Sequence, residues 1–541
     1  MNRPKHTGRN DRSSWRRAVI WSGAIGALLA LLFWLTGLYA ASTLRGRLDK
    51  VAQLGCAVVR NVPPPTIKVD LLGRRVIITD LAFVPNGSCA GSPMVFSGHL
   101  DTLDVGGISL TGLLFQRRLA VNDLRIATTG GIIRMVADSL RQVSRDEIKG
   151  VAEPWSVEVA SFHAHLRSTM FITVRGDTVN SAGDGIRVQG SEYRFGPLED
   201  GLAASHRVER ITVAVDSLSA RLIGGYALSI DQGAMDQPRG TVVLSGVKAM
   251  PRGGQEAFSA TLRHETDVIQ AQLDTLAVDG FDLNRSLTLG GLSAGSLQLR
   301  SGRVVVLRDK TLPDGPPKDV PLLGELIRRL PPGSGVETIT VRRLDVLYRE
   351  QIDVSRGYAH VPFDQIHATI TGVRNDRQDS TILVIDAHCK AFSDVPVSMV
   401  LRSLVQDTTD RFELDARIGT MPFASLNQVT GPLMDVRALE GRIDSVIMHM
   451  DADDYHAKGL VQLAYHDLNL SIGGRKRKEF MHQVESLLLN TLVKKDNRNS
   501  GGPRQGYFMF DRRRDRAIFN YMWSGLREGT KEILLPKALT Q

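Results

Sequence analysis

Cysteine is scarce in this chain: among 541 residues there are three, Cys56, Cys89 and Cys389. Three cannot staple a disulfide scaffold, and no Cys-x-x-Cys or Cys/His set has the spacing of a metal site. In an oxidising compartment Cys56 and Cys89 could pair, leaving Cys389 over; three unlinked cysteines fit equally well. Aromatic residues are also few, at 6%. Only one apolar run is long enough to cross a bilayer, which excludes a channel or a polytopic transporter. Several catalytic signatures are missing as well: the chain has no Walker loop, no HExxH and no dinucleotide fingerprint. His163 and His165 alternate on one strand face without a third ligand. Asp451, Asp453 and Asp454 lack the glycine and the distant glutamate of a calcium loop. The sequence therefore points to no enzyme, no metal and no cofactor.

What is present is a folding composition, 42% hydrophobic and 23% charged, with 51 glycines. Val, Ile, Leu and Thr dominate the middle, which favours many short strands joined by tight turns over a helical bundle. The net charge of +9 is concentrated at the ends. Residues 1–17 carry +5 and residues 475–541 carry +8, which leaves residues 18–474 at −4. Nucleic acid is thus not an expected partner of the body.

From Ala18 to Ala40 the sequence AVIWSGAIGALLALLFWLTGLYA has no charge. About 20 apolar residues cross a bilayer core as a helix, so this run suffices. Six Lys/Arg precede it and only Arg45, Arg47 and Lys50 follow it closely. The positive-inside rule then leaves residues 1–17 in the cytoplasm and exports the rest. A cleaved signal peptide ending near Ala40-Ala41-Ser42 is the rival reading, but its apolar region is normally shorter.

Past this run an eight-residue pattern returns: apolar at i and i+2, then at i+5, usually Leu, and at i+7. It appears as Val76, Ile78, Leu81, Phe83; as Leu119, Val121, Leu124, Ile126; and as Val213, Val215, Leu218, Ala220. It returns as Ala271, Leu273, Leu276, Val278; as Ile339, Val341, Leu344, Val346; and as Leu463, Tyr465, Leu468, Leu470. Residues two apart share a strand face, and the step of three would move the second pair to the other face. A β-bulge or a short turn at the polar pair between them, such as Thr79-Asp80 or Arg342-Arg343, restores the same face. The pattern predicts a mainly β body: an elongated, twisted, mostly antiparallel sheet with one apolar face, forming a groove. Helices are expected only at 321–332, 479–495 and 519–535, where apolar residues recur at helical spacing. The last two pack on an end of the sheet or, with RKRK (475–478) and RRR (512–514), touch a bilayer or a partner.

Several stretches resemble AsmA-like proteins. They are VGGISLTGLLFQRRLAVNDLRI (105–126), LPPGSGVETITVRRLDVLYRE (330–350), VPFDQIHATITGV (361–373) and the segment 423–472, with its Leu-Glu-Gly and its Gly459, Tyr465 and Leu468. The resemblance implies an inner-membrane-anchored periplasmic protein of a Gram-negative bacterium, related to repeating-β-groove bridge-like lipid transfer proteins. It implies outer-membrane biogenesis or phospholipid transport between membranes, and it carries over no catalytic residue. The expected organisation is a cytoplasmic tail (1–17), a transmembrane helix (18–40), a β-rich region (41–320), an AsmA-like β region (321–474) and a basic, partly helical tail (475–541). The six patterns name the candidate groove-lining residues, and phospholipid acyl chains are the implied occupant. A membrane-anchored assembly factor of the cell envelope, binding proteins through filled β-sandwiches, is the alternative.

Overall fold

The computed structural model describes residues 57–59, 64–85, 94–109, 111, 118–128, 130–135, 156–167, 169–173, 179–196, 205–222, 224–289, 291–316, 318–375, 380–472 and 503–534. The apolar run 18–40, Cys56, Cys89, the 479–495 segment and RKRK (475–478) lie outside them. Among the described residues no helix is long and apolar enough to cross a membrane. The chain divides into two compact units, 1–211 and 212–541. The boundary expected at 320/321 falls inside the second.

The first unit is built from β1 (Ala57–Val59), β2 (Thr66–Asp70), β3 (Arg75–Pro85), β4 (Met94–Gly106), β5 (Arg118–Thr128), β6 (Gly130–Met135), β7 (Ser156–Leu166), β8 (Thr169–Thr173), β9 (Val179–Asp184) and β10 (Ile186–Gly196). Pairing is antiparallel except for β5 with β7 and β6 with β8. Cross-strand register sets apolar side chains beside one another. Ile67, Ile78, Leu103, Ile126, Ala164 and Val188 form one row through β2, β3, β4, β5, β7 and β10. Val69, Val76, Val105, Leu124 and Phe162 form the next, where the Phe162 ring fills the space over Gly190.

The second unit carries β11 (Ser205–Val215, which begins before the boundary), β12 (Ser217–Arg221), β13 (Tyr226–Ile230), β14 (Gln232–Asp236), β15 (Thr241–Pro251), β16 (Asp267–Asp279), β17 (Ser293–Asp309), β18 (Gly335–Gln351), β19 (Ala359–Arg374), β20 (Ile382–Ala391), β21 (Val395–Leu404), β22 (Phe412–Ile418), β23 (Met421–Pro422), β24 (Val436–Ala452), β25 (His456–Ile472) and β26 (Arg504–Asp511). Its helices are α1 (Gln255–Ser259), α2 (Leu283–Leu289), α3 (Leu323–Arg328), α4 (Asn427–Met434) and α5 (Ile518–Leu534). From β15 to β26 the strands pair antiparallel in chain order, with two departures: β17 pairs β18 in parallel, and β23 is a two-residue edge on β24. A parallel pair needs a crossover, which here runs from Lys310 to Ser334 and contains α3. The mainly β, mostly antiparallel fold with few short helices is the one expected.

The helices at 321–332 and 519–535 are present as α3 and α5. The last packs on the β24–β26 end of the sheet, the first of its two expected alternatives. Glycines at 525 and 529 let α5 approach closely: a Cβ on Gly525 would lie 2.9 Å from Met448 Cε, and one on Gly529 2.5 Å from Val461 Cγ2. Tyr521 is wedged edge-on against Phe412 and Phe510, and its hydroxyl donates to the Asp453 carbonyl at 3.2 Å. The Phe519 ring meets Tyr348 of β18 and Phe363 of β19, each at 6.2 Å. Seven strand spacings separate β18 from β26, roughly 34 Å along the sheet, whereas a helix is only about 10 Å across. α5, about 25 Å long, reaches strands at both ends of this run.

Basic residues preceding α5 are neutralised within the fold. Arg512 is buried, pairs with Asp454 and donates to the Val320 carbonyl at 2.5 Å. Arg514 bridges Asp319 and Asp454, each at 3.0 Å. Arg516 meets Glu265 and, at 3.0 Å, Asp314. Glu265 also holds Arg308 at 3.0 Å.

Candidate functional site: cross-strand apolar rows

The step of three in the sequence pattern is a physical crease. Asp80, Arg343 and Asp467, each the second residue of a polar pair inside a predicted pattern, adopt left-handed backbone with φ of 59°, 56° and 57°. Asp tolerates this region whereas Arg avoids it, so Arg343 marks an enforced bend. In the second unit the bends align. Cross-strand register carries the line from the break at Asp216 to that at Asp231, then to Gly246, Asp274, Ser301, Arg343 and Gln365. Gly246, Ser301 and Gln365 also have positive φ, at 64°, 57° and 52°. Because most neighbours take the extra residue at the same level, register is kept. Between β18 and β19 it is restored by two offsetting bulges.

On either side of the crease the apolar side chains share one face. Val213, Met235, Val242, Val278, Leu297, Ile339, Ile370, Ile385, Leu401, Leu414 and Met450 form one row through β11 and β14 to β22 and on to β24. Val215, Gly233, Leu244, Leu276, Leu299, Val341, Ala368, Ala387, Met399, Ala416, Met448 and Val461 form the next, reaching β25. Beyond the crease Val247, Leu273, Gly302, Leu344 and Ile366 continue it, followed by Ala249, Ala271, Val304, Val346 and Phe363. The opposite face of β17 and β18 offers Gln298, Arg300, Thr338, Thr340 and Arg342 instead.

The two ends of these rows differ in what covers them. At the β21–β26 end Leu401, Leu414, Met448, Met450, Val461, Leu463, Tyr465 and Leu468 are fully buried. α5 and the turn Phe423–Leu426 fill that end, with the Phe423 ring edge-on to Tyr465 at 5.9 Å. Toward β14–β19 Val242, Leu244, Leu273, Leu276, Leu297, Leu299, Ile339, Val341, Leu344 and Val346 are half-buried. Full burial of such a side chain contributes about 1.5–3 kcal/mol, so these positions realise only part of it.

The sequence-predicted residues therefore fall into two groups. Leu463, Tyr465 and Leu468 belong to a packed core, with Leu470 half-buried beside it. Val213, Val215, Leu218, Leu273, Leu276, Ile339, Val341, Leu344 and Val346 are half-buried row positions, and Val278 is buried among them. In the first unit Ile78, Leu81 and Val121 are buried, while Val76, Leu119, Leu124 and Ile126 are half-buried. Phe83 lies near the end of β3, and its side chain lies outside the description. Two strands that complete the rows escaped the pattern: β17 has Gly302 where leucine is expected, and β15 has Val247 there. Plain i, i+2 alternation of Leu297, Leu299, Val304 and Val306 was the available signal.

Titrating groups near the rows are few. Cys389 of β20 is half-buried; burial, with Asp364 nearby, pushes its thiol up to about 11. Burial and the neighbouring Asp345 raise the Asp364 carboxyl above the ordinary range. Burial, then Glu350, raises the Tyr348 phenol, which donates to Glu350 at 2.7 Å. Among the described residues no three His, Cys, Asp or Glu could hold a metal ion. His163 and His165 are exposed on β7, Asp454 pairs with Arg512 and Arg514, and Asp453 accepts backbone N–H bonds from Tyr455 and His456. Around the rows the described residues offer chiefly greasy surface. No family model matches the chain, and no curated protein matches it either.

Proposed function

We propose that this chain is an inner-membrane-anchored, periplasmic AsmA-like protein whose apolar rows hold phospholipid acyl chains, acting in outer-membrane biogenesis or in lipid traffic between membranes. The observation that carries this reading is the incompletely buried apolar surface from β14 to β19. A sheet face of this kind must be covered by something apolar, and each methylene laid on it contributes roughly 0.8 kcal/mol. The sequence supplies the rest: an uncharged run at 18–40 as anchor, cationic residues before it, and the stretches resembling AsmA-like proteins. The test is native mass spectrometry of the detergent-purified full chain, paired with a photoreactive residue at Ile339. Phospholipid adducts are expected at Ile339 and not at the buried Leu463. Absence of lipid in both experiments would sink the conduit.

The packed end under α5 favours a second reading. A filled interior is what an assembly factor that binds envelope proteins would have, and a lipid-free chain with protein crosslinks would support it.

A further inference from the structure

We infer that β26 is an open sheet edge on which a second copy of this chain docks, β26 against β26. Among the described residues β26 pairs only with β25, in an unbroken register from His456–Asp511 to Leu463–Arg504. Its other edge meets no described strand and presents its backbone N–H and C=O groups. Sheets blunt such an edge with lysine, proline, a bulge or an inward-pointing charge. Between its end charges, Arg504 and Asp511, β26 (RQGYFMFD) has none of these devices. Its two faces are unequal. Gly506 and Phe508 are buried under α5, whereas on the other face Tyr507 is 63% and Met509 83% exposed. Tyrosine and methionine are enriched where proteins meet.

The strand complements itself, which selects a second copy as the occupant. An antiparallel pair centred on Phe508 sets Tyr507 beside Met509 of the second copy, and Gln505 beside its Asp511. Two-fold symmetry makes each contact twice. The first lays a thioether against an aromatic ring. In the second, the Tyr507 hydroxyl already donates to Gln505 Oε1 at 2.9 Å, which leaves the Gln505 amide N–H groups to donate. Asp511, 2.9 Å from His456 Nδ1 and 90% exposed in its side chain, is placed to accept. On the covered face Gly506 stands beside Phe510, small against large. A pair centred on Tyr507 would instead set Met509 against Gln505.

The helix over the edge is compatible with this pairing. Gly525 lies against Phe508 of β26 and Met448 of β24, and Gly529 against Val461 of β25 and Gly506 of β26. α5 therefore runs above β25 and β26, inside the edge. A two-fold axis normal to the sheet keeps both copies of α5 on one side, with their axes roughly 10 Å apart. Packed helices lie about 8–10 Å apart, so the two fit without collision. A strand edge of eight residues is smaller than the ~1,200 Å² of a stable interface, which makes this a micromolar dimer.

The experiment follows the oligomeric state of the full chain in detergent by sedimentation, between about 1 and 100 μM. A monomer–dimer equilibrium is expected. Tyr507→Lys combined with Met509→Lys should raise its dissociation constant about a hundredfold. Thermal unfolding should stay where it is, because both side chains are exposed. Tyr507→Cys combined with Met509→Cys should yield a disulfide-linked dimer on mild oxidation. Lys458→Cys, one strand further in and opposite Met509, should not. A chain that stays monomeric throughout the range overturns the inference. So does a dimer that withstands the two lysines, which would be joined elsewhere, the apolar run 18–40 included. Failure of the cysteine pair to crosslink, or equal crosslinking from Lys458→Cys, overturns it as well.

Discussion

Arg343 occupies a backbone region that costs a side-chain-bearing residue about 1–2 kcal/mol. Its neighbours on β17 and β19 do the same at Ser301 and Gln365. Arg343→Gly should therefore leave stability unchanged or raise it by up to about 1 kcal/mol, despite glycine's larger entropy in the unfolded chain. Arg343→Val, β-branched, should lower it by about 1–2 kcal/mol. Urea midpoints of the two variants check the sign. The same scale governs Cys389. With its thiol pushed up to about 11 by burial and Asp364, it holds roughly a hundredfold less thiolate at pH 8 than a thiol of pKa 9. Alkylation by iodoacetamide should be correspondingly slow in the folded chain and recover in denaturant.

Docking of α5 is decided by what three glycines leave out. A Cβ on Gly506 of β26 would sit 2.0 Å from the Gly529 carbonyl oxygen, so backbone blocks it. Gly506→Ala should cost about 1–3 kcal/mol and expose the β24–β26 face, read as a lower unfolding midpoint with new binding of a hydrophobic dye. The Arg516–Glu265–Arg308 strap fixes the approach to the same helix. Burial opposes ionisation of Glu265, yet hydrogen bonds from Arg308 and Arg516 outweigh it and hold the carboxyl at about 2. A carboxyl depressed on folding stabilises the protein above its unfolded pKa, and loses that contribution as pH falls toward its folded value. Acid titration should thus remove stability between about pH 4.5 and 2. Glu265→Gln should lack this part of the acid loss, having already given up about 1–3 kcal/mol, since Arg308 keeps Asp267 and Arg516 keeps Asp314. The helix itself was legible from the spacing of Phe519, Met522, Trp523 and Leu526. Its partner was not, because helical periodicity states which face is apolar and never which strands it meets.

At the level of the whole chain, legibility depended on how local the cause was. The crease could be read because one polar residue too many interrupts an apolar alternation, as at Thr79-Asp80 and Arg342-Arg343. The parallel register of β17 with β18 could not, since it is set by a crossover of 25 residues. Nor could the division at 211/212, where composition does not change. The row residues of β15 and β17 were passed over for want of a leucine. The anchoring run is a sequence inference with a direct check. Extraction of membranes at pH 11 should leave the full chain in the pellet, and deletion of residues 1–40 should release it.

The bend of β17, β18 and β19 is held in single supernumerary residues, Ser301, Arg343 and Gln365, and not in their greasy side chains. Deleting Arg343 would bring Ile339, Val341, Leu344 and Val346 to strict alternation, still facing the same way on a straight strand. Width and wettability of such a surface can therefore change independently. One-codon insertions and deletions at the fold line would retune how broad an object it embraces, while the oiliness of the lining stays as it was.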